Sequence, residues 1–318
     1  MKKTIIILLA LTLVLTSFAC AKQEAEPTEP VRVAALAGPT GMGLAYMMQD
    51  MQDNYQVEIF TAPDQVTAKF ISGEVDIAAV PINLASVLYQ KTEGEAQVIA
   101  INTLGVLYLL EAGDTVQSIE DIKGQTVYSV GQGSTPEYIL QYLLDAYGLT
   151  DSVNVEFIAD NAELIAKLGD GSAQLALLPE PHVSVACAQN ENVRVALNIN
   201  ELWAAKNATQ VVQGVYIVRK SYLDAHQAQV DAFLKDAETS ATKVVTEADA
   251  ASVVAAQGII AKEPIAKRAI PNCNICLIKG ADMKAYVSAM LEVLFNANPK
   301  SIGGSMPADD FYYVANPS

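Results

Sequence analysis

The sequence predicts an α/β protein of two similar lobes, each built on a sheet rich in parallel strands and joined by two crossing strands. Three observations support this prediction. Short apolar runs alternate with helical patterns from Val31 onward, as they do in α/β proteins. A helix–strand unit recurs at a constant offset of 98 residues, and a glycine-rich turn follows the first strand of each half.

Length and charge limit the possible functions. The chain has 318 residues, of which 51% are hydrophobic, so it can bury a core large enough for two lobes. Its formal net charge is −16, and removal of a leader that contains two lysines would make it −18. Phosphate backbones and anionic lipid surfaces repel such a protein, so we expect no nucleic-acid partner.

The first 20 residues are typical of an export signal. Two lysines are followed by an apolar run at residues 5–15, too short to span a membrane comfortably, and by small residues up to Ala19 and Cys20. Residues 21–30 are rich in Glu, Pro and Thr, which predicts a flexible tether. An ordinary cleaved signal, with Cys20 incidental, is the alternative to a lipid anchor.

Ten apolar runs beyond the tether are predicted strands. They are residues 32–36, 56–60, 77–80, 98–102, 104–111, 126–130, 154–158, 175–178, 193–197 and 210–219. Helical patterns lie between them, and the chain becomes mostly helical after residue 225, as in residues 229–248 and 283–295.

Two extended runs are predicted to connect the lobes. Residues 98–111 carry the chain into the second lobe, and residues 210–219 bring it back. The predicted lobes are therefore residues 31–108 plus 215–318, and residues 109–214. Two bodies joined in this way commonly close over a ligand.

The internal repeat supports the two-lobe prediction. Residues 65–81 align without a gap to residues 163–179, with five identities among the seventeen pairs. Both segments are predicted as a helix, a glycine stop and a buried strand that ends in proline. The alternative is that any two helix–strand units look alike.

The two glycine-rich turns are the candidate ligand-binding segments. Residues 38–43 lie between a strand and a helix and are predicted to offer backbone N–H groups to a ligand. In residues 131–137, Ser134 or Thr135 is the predicted N-cap of the next helix. Both turns follow the first strand of a lobe, so we expect them to face a shared crevice. A β-branched residue in place of Gly41 is expected to abolish binding while the lobes stay folded.

Several motifs, in this order and spacing, carry a resemblance to a known family. They are the signal with Cys20, the turn at residues 38–43, the helix–strand junction at residues 73–78, the segment at residues 122–137 and the Pro-Glu-Pro at residues 179–181. Together they resemble the substrate-binding lipoproteins of ABC importers. The pattern is most similar to the nitrate/sulfonate/taurine-type family, which includes binders of thiamine-pyrimidine precursors.

The resemblance implies a type II periplasmic-binding-protein fold and a protein that delivers a small-molecule solute to an ABC permease and its ATPase. It implies no catalysis, cofactor or metal, and we expect a monomer. Lipidation of Cys20 would anchor the chain to the outer face of the cytoplasmic membrane; otherwise the protein would be periplasmic. The ligand contacts implied by the family are Gly38, Pro39, Thr40, Gly41, Met42, Asn83, Ser134, Thr135 and Glu180.

The sequence also indicates the chemistry of the ligand. None of the four arginines lies in a predicted cleft loop, so a bidentate clamp on a sulfonate or phosphate is not evident. Asn102, Thr103 and Tyr108 are expected to join the contacts above in a polar, partly apolar lining. We therefore expect a neutral or weakly charged organic ligand, such as a nitrogen heterocycle, whose donors Glu180 accepts. The alternative for Glu180 is a solvated loop carboxylate.

Two other functions remain open at the level of sequence. One is an enzyme on the same fold, similar to enzymes of pyrimidine or menaquinone biosynthesis, in which Cys273, Cys276 and His182 would serve. The other is a structural surface lipoprotein with no ligand. A single CxxC pair is weak as a metal site, so a disulfide, buried free thiols and redox or metal chemistry all stay possible for Cys273 and Cys276.

Overall fold

The structure, a computed structural model, describes residues 29–314 of the chain. The body begins at Val31. The predicted signal, Cys20 and most of the predicted tether lie outside the described residues. No helix within residues 29–314 is long and apolar enough to cross a membrane.

Eleven strands build the two sheets of the described body. They are β1 (Val31–Leu36), β2 (Tyr55–Phe60), β3 (Ile77–Pro81), β4 (Ala96–Leu104), β5 (Leu107–Ala112), β6 (Thr126–Ser129), β7 (Asn154–Phe157), β8 (Leu175–Pro179), β9 (Val193–Asn198), β10 (Val212–Arg219) and β11 (Ile275–Ile278). All ten predicted strands are confirmed, with ends shifted by up to three residues. The sequence analysis missed β11, because it lies within the mostly helical carboxyl-terminal region.

Twelve α-helices cover the sheets in the same part of the chain. They are α1 (Pro39–Met42), α2 (Ala45–Asp50), α3 (Pro63–Ser72), α4 (Ile82–Lys91), α5 (Thr135–Ala146), α6 (Asn161–Asp170), α7 (His182–Gln189), α8 (Ile199–Ala204), α9 (Lys220–Thr246), α10 (Ala250–Ala256), α11 (Glu263–Ala269) and α12 (Gly280–Ala297). Short 3₁₀ helices span Ile119–Ile122, Ile270–Asn272, Pro299–Ile302 and Asp309–Phe311.

Each lobe is built on one mixed sheet. The first sheet has the strand order β11-β4-β10-β3-β1-β2, and the second has the order β7-β6-β8-β5-β9. In the first, β1 to β4 run one way and β10 and β11 the other; in the second, β5 runs in the opposite direction to the other four strands. This α/β architecture confirms the predicted fold class.

The repeat is confirmed at the level of single residues. α3 and α6 begin and end 98 residues apart, and so do β3 and β8. Both helices stop at a glycine in the left-handed region, Gly73 at φ 78° and Gly171 at φ 79°. Only glycine adopts this conformation without a steric cost, so both helices end in the same glycine-dependent way.

The two halves exchange one strand. β5 leaves the first half and pairs with β8 and β9 in the second sheet, whereas β10 leaves the second half and pairs with β3 and β4 in the first. Without β11, the two sheets have equivalent orders, β4-β10-β3-β1-β2 and β9-β5-β8-β6-β7. The predicted lobe limits at residues 108/109 and 214/215 stay a prediction, but the strands change sheet at Gly105 and Val106 and return before Val212.

Apolar helix faces cover both sides of the first sheet. Phe70 of α3, Leu88 of α4 and Leu294 of α12 belong to one core cluster, and Met47 of α2 and Phe233 of α9 belong to the cluster on the other side. Because alternate residues of a strand point to opposite faces, Val80 joins the first cluster and Ala79 the second. This packing fixes the carboxyl ends of the strands, where the candidate site lies.

Candidate functional site

The carboxyl edges of the two sheets face each other. β4 ends at Leu104 and β5 begins at Leu107, so two residues join the edges. Leu107 is paired with Pro179, the last residue of β8, which places the start of β5 at the carboxyl edge of the second sheet. The return strand β10 begins beside Leu104. Loops that follow the parallel strands of both sheets therefore border one crevice, as in other open α/β sheets.

The predicted site residues fall on neighbouring strands at these edges. Gly38, Pro39 and Thr40 follow β1, and Asn83 follows β3, which is paired with β1. In the second sheet, β6 and β8 are likewise paired in parallel, so the residues that follow these two strands are also neighbours. There, Ser134 is the N-cap of α5, Thr135 is its first residue, and Glu180 follows β8. Their roles as ligand contacts stay predictions.

The first glycine turn is tied to the sheet rather than open to solvent. Gly38, at φ 86°, donates its N–H to the carbonyl of Ile259 at 2.9 Å. The carbonyl of Pro39 accepts from Thr103 Oγ1 and that of Thr40 from Asn102 Nδ2, both at 3.2 Å. These bonds fix a polar wall made of β4 side chains and the turn.

Two residues of this turn have packing roles. Met42 is fully buried and packs with Ala45, Tyr46 and Val244. A Cβ on Gly41 would lie 2.5 Å from the carbonyl oxygen of Leu36, which is closer than side-chain atoms approach. The expectation that a β-branched residue at position 41 leaves the lobe folded is therefore wrong, because that side chain would collide with the end of β1.

The second glycine turn already binds a carboxylate of its own chain. Gly131 and Gly133 have φ angles of 74° and 73°. Glu137, in the first turn of α5, accepts from the backbone N–H of Gly133 at 2.5 Å and from Gln141 Nε2 at 2.7 Å. Ser134 Oγ donates to the carbonyl of Gly131. The negative charge of Glu137 occupies the positive end of α5 and disfavours a second anion there.

Glu180 is buried, and this excludes the alternative of a solvated carboxylate. Only 3% of the Glu180 surface is exposed to solvent. Its carboxylate accepts from the backbone N–H and the hydroxyl of Ser184, both at 3.1 Å, and from Asn272 Nδ2 at 3.0 Å. Burial raises the pKa of Glu180, and these three hydrogen bonds lower it in part. Because a carboxylate has about four acceptor positions, these three hydrogen bonds leave about one position for a further donor.

The sequence analysis missed a contribution from the carboxyl-terminal region. Asn272 and Asn274 lie beside the crevice, where Tyr108 donates its hydroxyl proton to the carbonyl of Asn272 at 2.8 Å and Asn274 Nδ2 donates to the carbonyl of Gly105 at 2.6 Å. Asn274 has a positive φ of 47°, which asparagine tolerates better than most residues. The pair of asparagines around Cys273 was the only sequence signal of this role.

The three described cysteines are free thiols. Cys273 is fully buried, and burial raises its pKa far above the usual range. Burial also raises the pKa of Cys276 to about 12. Thiols with raised pKa values are poor nucleophiles. Within residues 29–314, no group of three or more His, Cys, Asp and Glu side chains is arranged to bind a metal.

Two arginines form ion pairs at the far edges of the sheets. The Arg32 guanidinium donates two hydrogen bonds to Asp76, which precedes β3, and Arg194 lies 2.7 Å from Glu111 near the end of β5. Asp76 and Glu111 are buried. These two guanidinium groups are therefore engaged away from the crevice.

Comparison with known proteins identifies the family. Residues 56–251 match the model of the NMT1/THI5-like family, which is more than half of the chain. The chain belongs to the NMT1/THI5-like family. The match begins one residue into β2 and ends in α10, so it covers the predicted second lobe completely and about half of the first. No curated protein matched the chain.

Solved structures share the fold of this NMT1/THI5-like protein. An ABC transporter protein from Parabacteroides distasonis is 22% identical, with a TM-score of 0.78 over 91% of this chain and 100% of that one. The aliphatic sulphonate binding protein SsuA from Escherichia coli is 17% identical, with a TM-score of 0.68 over 92% and 96%. The nitrate-binding protein NrtA from Synechocystis PCC 6803 is 13% identical, with a TM-score of 0.57 over 86% and 84%. These matches confirm the predicted resemblance.

Proposed function

We propose that this protein is the extracytoplasmic solute-binding component of an ABC importer, with no catalytic activity of its own. The observation that carries the proposal is the crevice between the two carboxyl edges, bordered by polar groups from both lobes and crossed by the two-residue link at Gly105 and Val106. Family membership and the fold support it. The lobes close over one small solute and deliver it to a permease and its ATPase.

The solute is a neutral or weakly cationic organic molecule with hydrogen-bond donors. Three charges support this choice: Glu180 lies buried at the crevice, Glu137 occupies the second glycine turn, and the Arg194 guanidinium is paired at the far edge. A buried carboxylate stabilises a donor and repels an anion. Contacts from Gly38, Thr40, Asn83, Ser134 and Thr135 complete the proposed site.

Replacement of Glu180 by Gln tests the site. A panel of small organic solutes is first screened by thermal shift, because a bound solute stabilises the folded protein. Calorimetry then compares the affinity of the selected solute for the wild type and the E180Q variant. Loss of a hydrogen bond to a charged group weakens binding by about tenfold or more. The matched control is E191Q, at an exposed position on the far edge of the second lobe.

The outcomes separate the three candidate functions. Equal affinity of E180Q and wild type would exclude Glu180 as a ligand contact. Chemical conversion of the stabilising solute, detected by chromatography, would favour an enzyme on the same fold. If no compound of the panel shifts the unfolding temperature, a structural surface protein is favoured. Light scattering of the purified protein checks the expected monomer.

We also propose that Cys20 is lipidated and anchors the chain outside the cytoplasmic membrane, with the following residues as a tether. The support is the order of charged, apolar and small residues before Cys20. A Cys20→Ala variant of the full chain is expected to move from the membrane fraction to the soluble extracytoplasmic fraction. A Cys187→Ala variant serves as the control. Unchanged membrane association of Cys20→Ala would contradict the anchor.

A further inference from the structure

Residues 270–274, which connect α11 to β11, contact both lobes. They belong to the first lobe, because β11 pairs with β4 in the first sheet. Asn274 also binds the link between the lobes: its carbonyl accepts from the N–H of Leu104 at 3.1 Å, and its side chain donates to the carbonyl of Gly105 at 2.6 Å. The segment is therefore anchored at the point where the chain crosses from one sheet to the other.

Asn272 reaches from this segment into the second lobe with two polar groups. Its backbone carbonyl accepts from the hydroxyl of Tyr108 in β5 at 2.8 Å. Its side-chain Nδ2 donates to Glu180 Oε1, after β8, at 3.0 Å. A third contact of Nδ2, to the carbonyl of Arg268 at 3.4 Å, holds the amide toward its own lobe. One residue thus bridges the two sheets at their facing edges.

The bridge is partly shielded from water. Glu180, Tyr108 and Cys273 are buried, whereas Asn272 itself is half-buried. Beside it, α7 of the second lobe packs on α11 of the first, with Val185 and Ile265 lining an apolar groove between them. Hydrogen bonds in such surroundings are stronger than on the surface, but a buried carboxylate also carries a desolvation cost. Opening of the lobes would return Glu180 to water, so the bridge is reversible.

We propose that Asn272 is a positioning residue that orients Glu180 at the crevice and holds the two lobes closed. Both bonds of the bridge join protein groups, so Asn272 closes the lobes before a solute binds, and the lobes open to admit the solute and close over it again. This goes beyond solute delivery, because it assigns closure of the ligand-free protein to a named residue. Its test uses the protein without solute, so failure of this proposal would leave the proposed function untouched.

The Asn272→Asp variant is the sharpest test. At a mildly alkaline pH, where both carboxyl groups are ionised, it places a second carboxylate against Glu180, and two adjacent carboxylates repel each other. We expect the ligand-free variant to open under these conditions, with a larger radius of gyration in small-angle X-ray scattering. When the pH is lowered, one proton shared by the two carboxyl groups removes the repulsion, and the variant should become compact again. A role in local packing alone would not give this pH profile.

Other charged groups near Glu180 do not account for such a profile. Tyr108, Cys187 and Cys273 interact electrostatically with Glu180, but burial raises the pKa of each, so they stay neutral in this range. Arg268 keeps its charge at any relevant pH. Burial lowers the pKa of His182, the first residue of α7, and this histidine is common to the wild type and the variant.

The Asn192→Asp variant is the matched control. It makes the same chemical change at an exposed residue on the far edge of the second lobe, and its scattering should follow the wild type at both pH values. The wild type without solute should fit the closed structure. A wild type with an open profile, or an Asn272→Asp variant as compact as the wild type at the alkaline pH, would overturn the proposal.

Two milder variants keep the test decisive if Asn272→Asp does not fold. Circular dichroism first checks folding. Asn272→Ala removes the bond to Glu180, and Tyr108→Phe removes the bond to the Asn272 carbonyl. Loss of a hydrogen bond to a charged group should shift the closed-to-open ratio about tenfold for Asn272→Ala, with a smaller shift for Tyr108→Phe. Compact wild-type scattering from both variants would also overturn the proposal.

Discussion

The pKa values of two buried glutamates in the second lobe are shifted in opposite directions. Burial raises the pKa of Glu180, and its hydrogen bonds offset this only in part. Burial also acts to raise the pKa of Glu111, but hydrogen bonds from Thr115 and Val116, with the nearby Arg194, outweigh it, so that the pKa of Glu111 is lowered. The Arg194 guanidinium and the backbone N–H donors thus give the Glu111 carboxylate a structural role, whereas Glu180 lies at the crevice.

Replacement of Glu111 by Gln tests this difference at the level of stability. At pH 7 the free energy of unfolding should fall by about 2 kcal/mol, because bonds to a charged acceptor are lost. Since the folded-state pKa of Glu111 is lowered, its stabilisation is complete above the unfolded-state value near 4.5 and disappears as the pH falls through the folded-state value. Urea unfolding at several pH values measures this.

The control for this prediction is E191Q, which removes an exposed carboxylate from the same lobe. Its free energy of unfolding should stay within about 0.5 kcal/mol of the wild type. A difference between wild type and E111Q that grows as the pH falls would contradict the assigned direction of the pKa shift.

Single residues were predictable from the sequence only where a local pattern marks them. Glu180 follows a buried strand within Pro-Glu-Pro, so its position at the crevice follows from the repeat. Asn272 bridges the lobes across 92 residues of sequence, and no local pattern encodes such a contact. The burial of Glu180 was unpredictable for the same reason, because the residues that cover it come from a distant segment.

At the level of elements, the repeated helix–strand unit is the best-predicted part of the molecule. Its helices have apolar faces and glycine stops, and these local signals determine their limits. In α6, Asp160 caps the amino terminus by accepting from the N–H of Glu163 at 2.9 Å. β11 was missed because a four-residue apolar strand at a sheet edge has no alternating pattern and depends on pairing with β4.

Two glycines at the end of α6 allow a matched test of the helix stop. Gly171 has φ 79° and is exposed, whereas Gly169 lies within the helix, and a Cβ has no neighbour within 4 Å at either position. Gly171→Ala should therefore destabilise the protein by about 1 kcal/mol through backbone strain. Gly169→Ala should stabilise it by about 0.5–1 kcal/mol, because alanine favours the helix.

Thermal and urea unfolding of the two variants measure these changes. Gly171→Asn should cost less than Gly171→Ala, since asparagine tolerates the left-handed region. Equal effects of alanine at positions 169 and 171 would show that the stop does not depend on the glycine conformation.

At the level of the whole molecule, the alternation of strands and helices predicted the architecture, but not how close the lobes lie. The crossing at Gly105 is tight, because a Cβ there would lie 3.0 Å from side-chain atoms of Asn200 and Val211. Neither distance is encoded locally, since Asn200 and Val211 come from the return path of the chain. The sequence therefore predicts a crevice between two lobes, and tertiary packing determines its width.

The strand exchange described above makes the two halves of the chain interdependent, as in a domain-swapped dimer whose subunits have been fused. β5 and β10 lie in the interior of the sheets that they join, each between two paired neighbours. A division of the chain between β5 and β6 would remove an interior strand from both sheets at once. Each half of the sequence therefore depends on the other for a complete sheet.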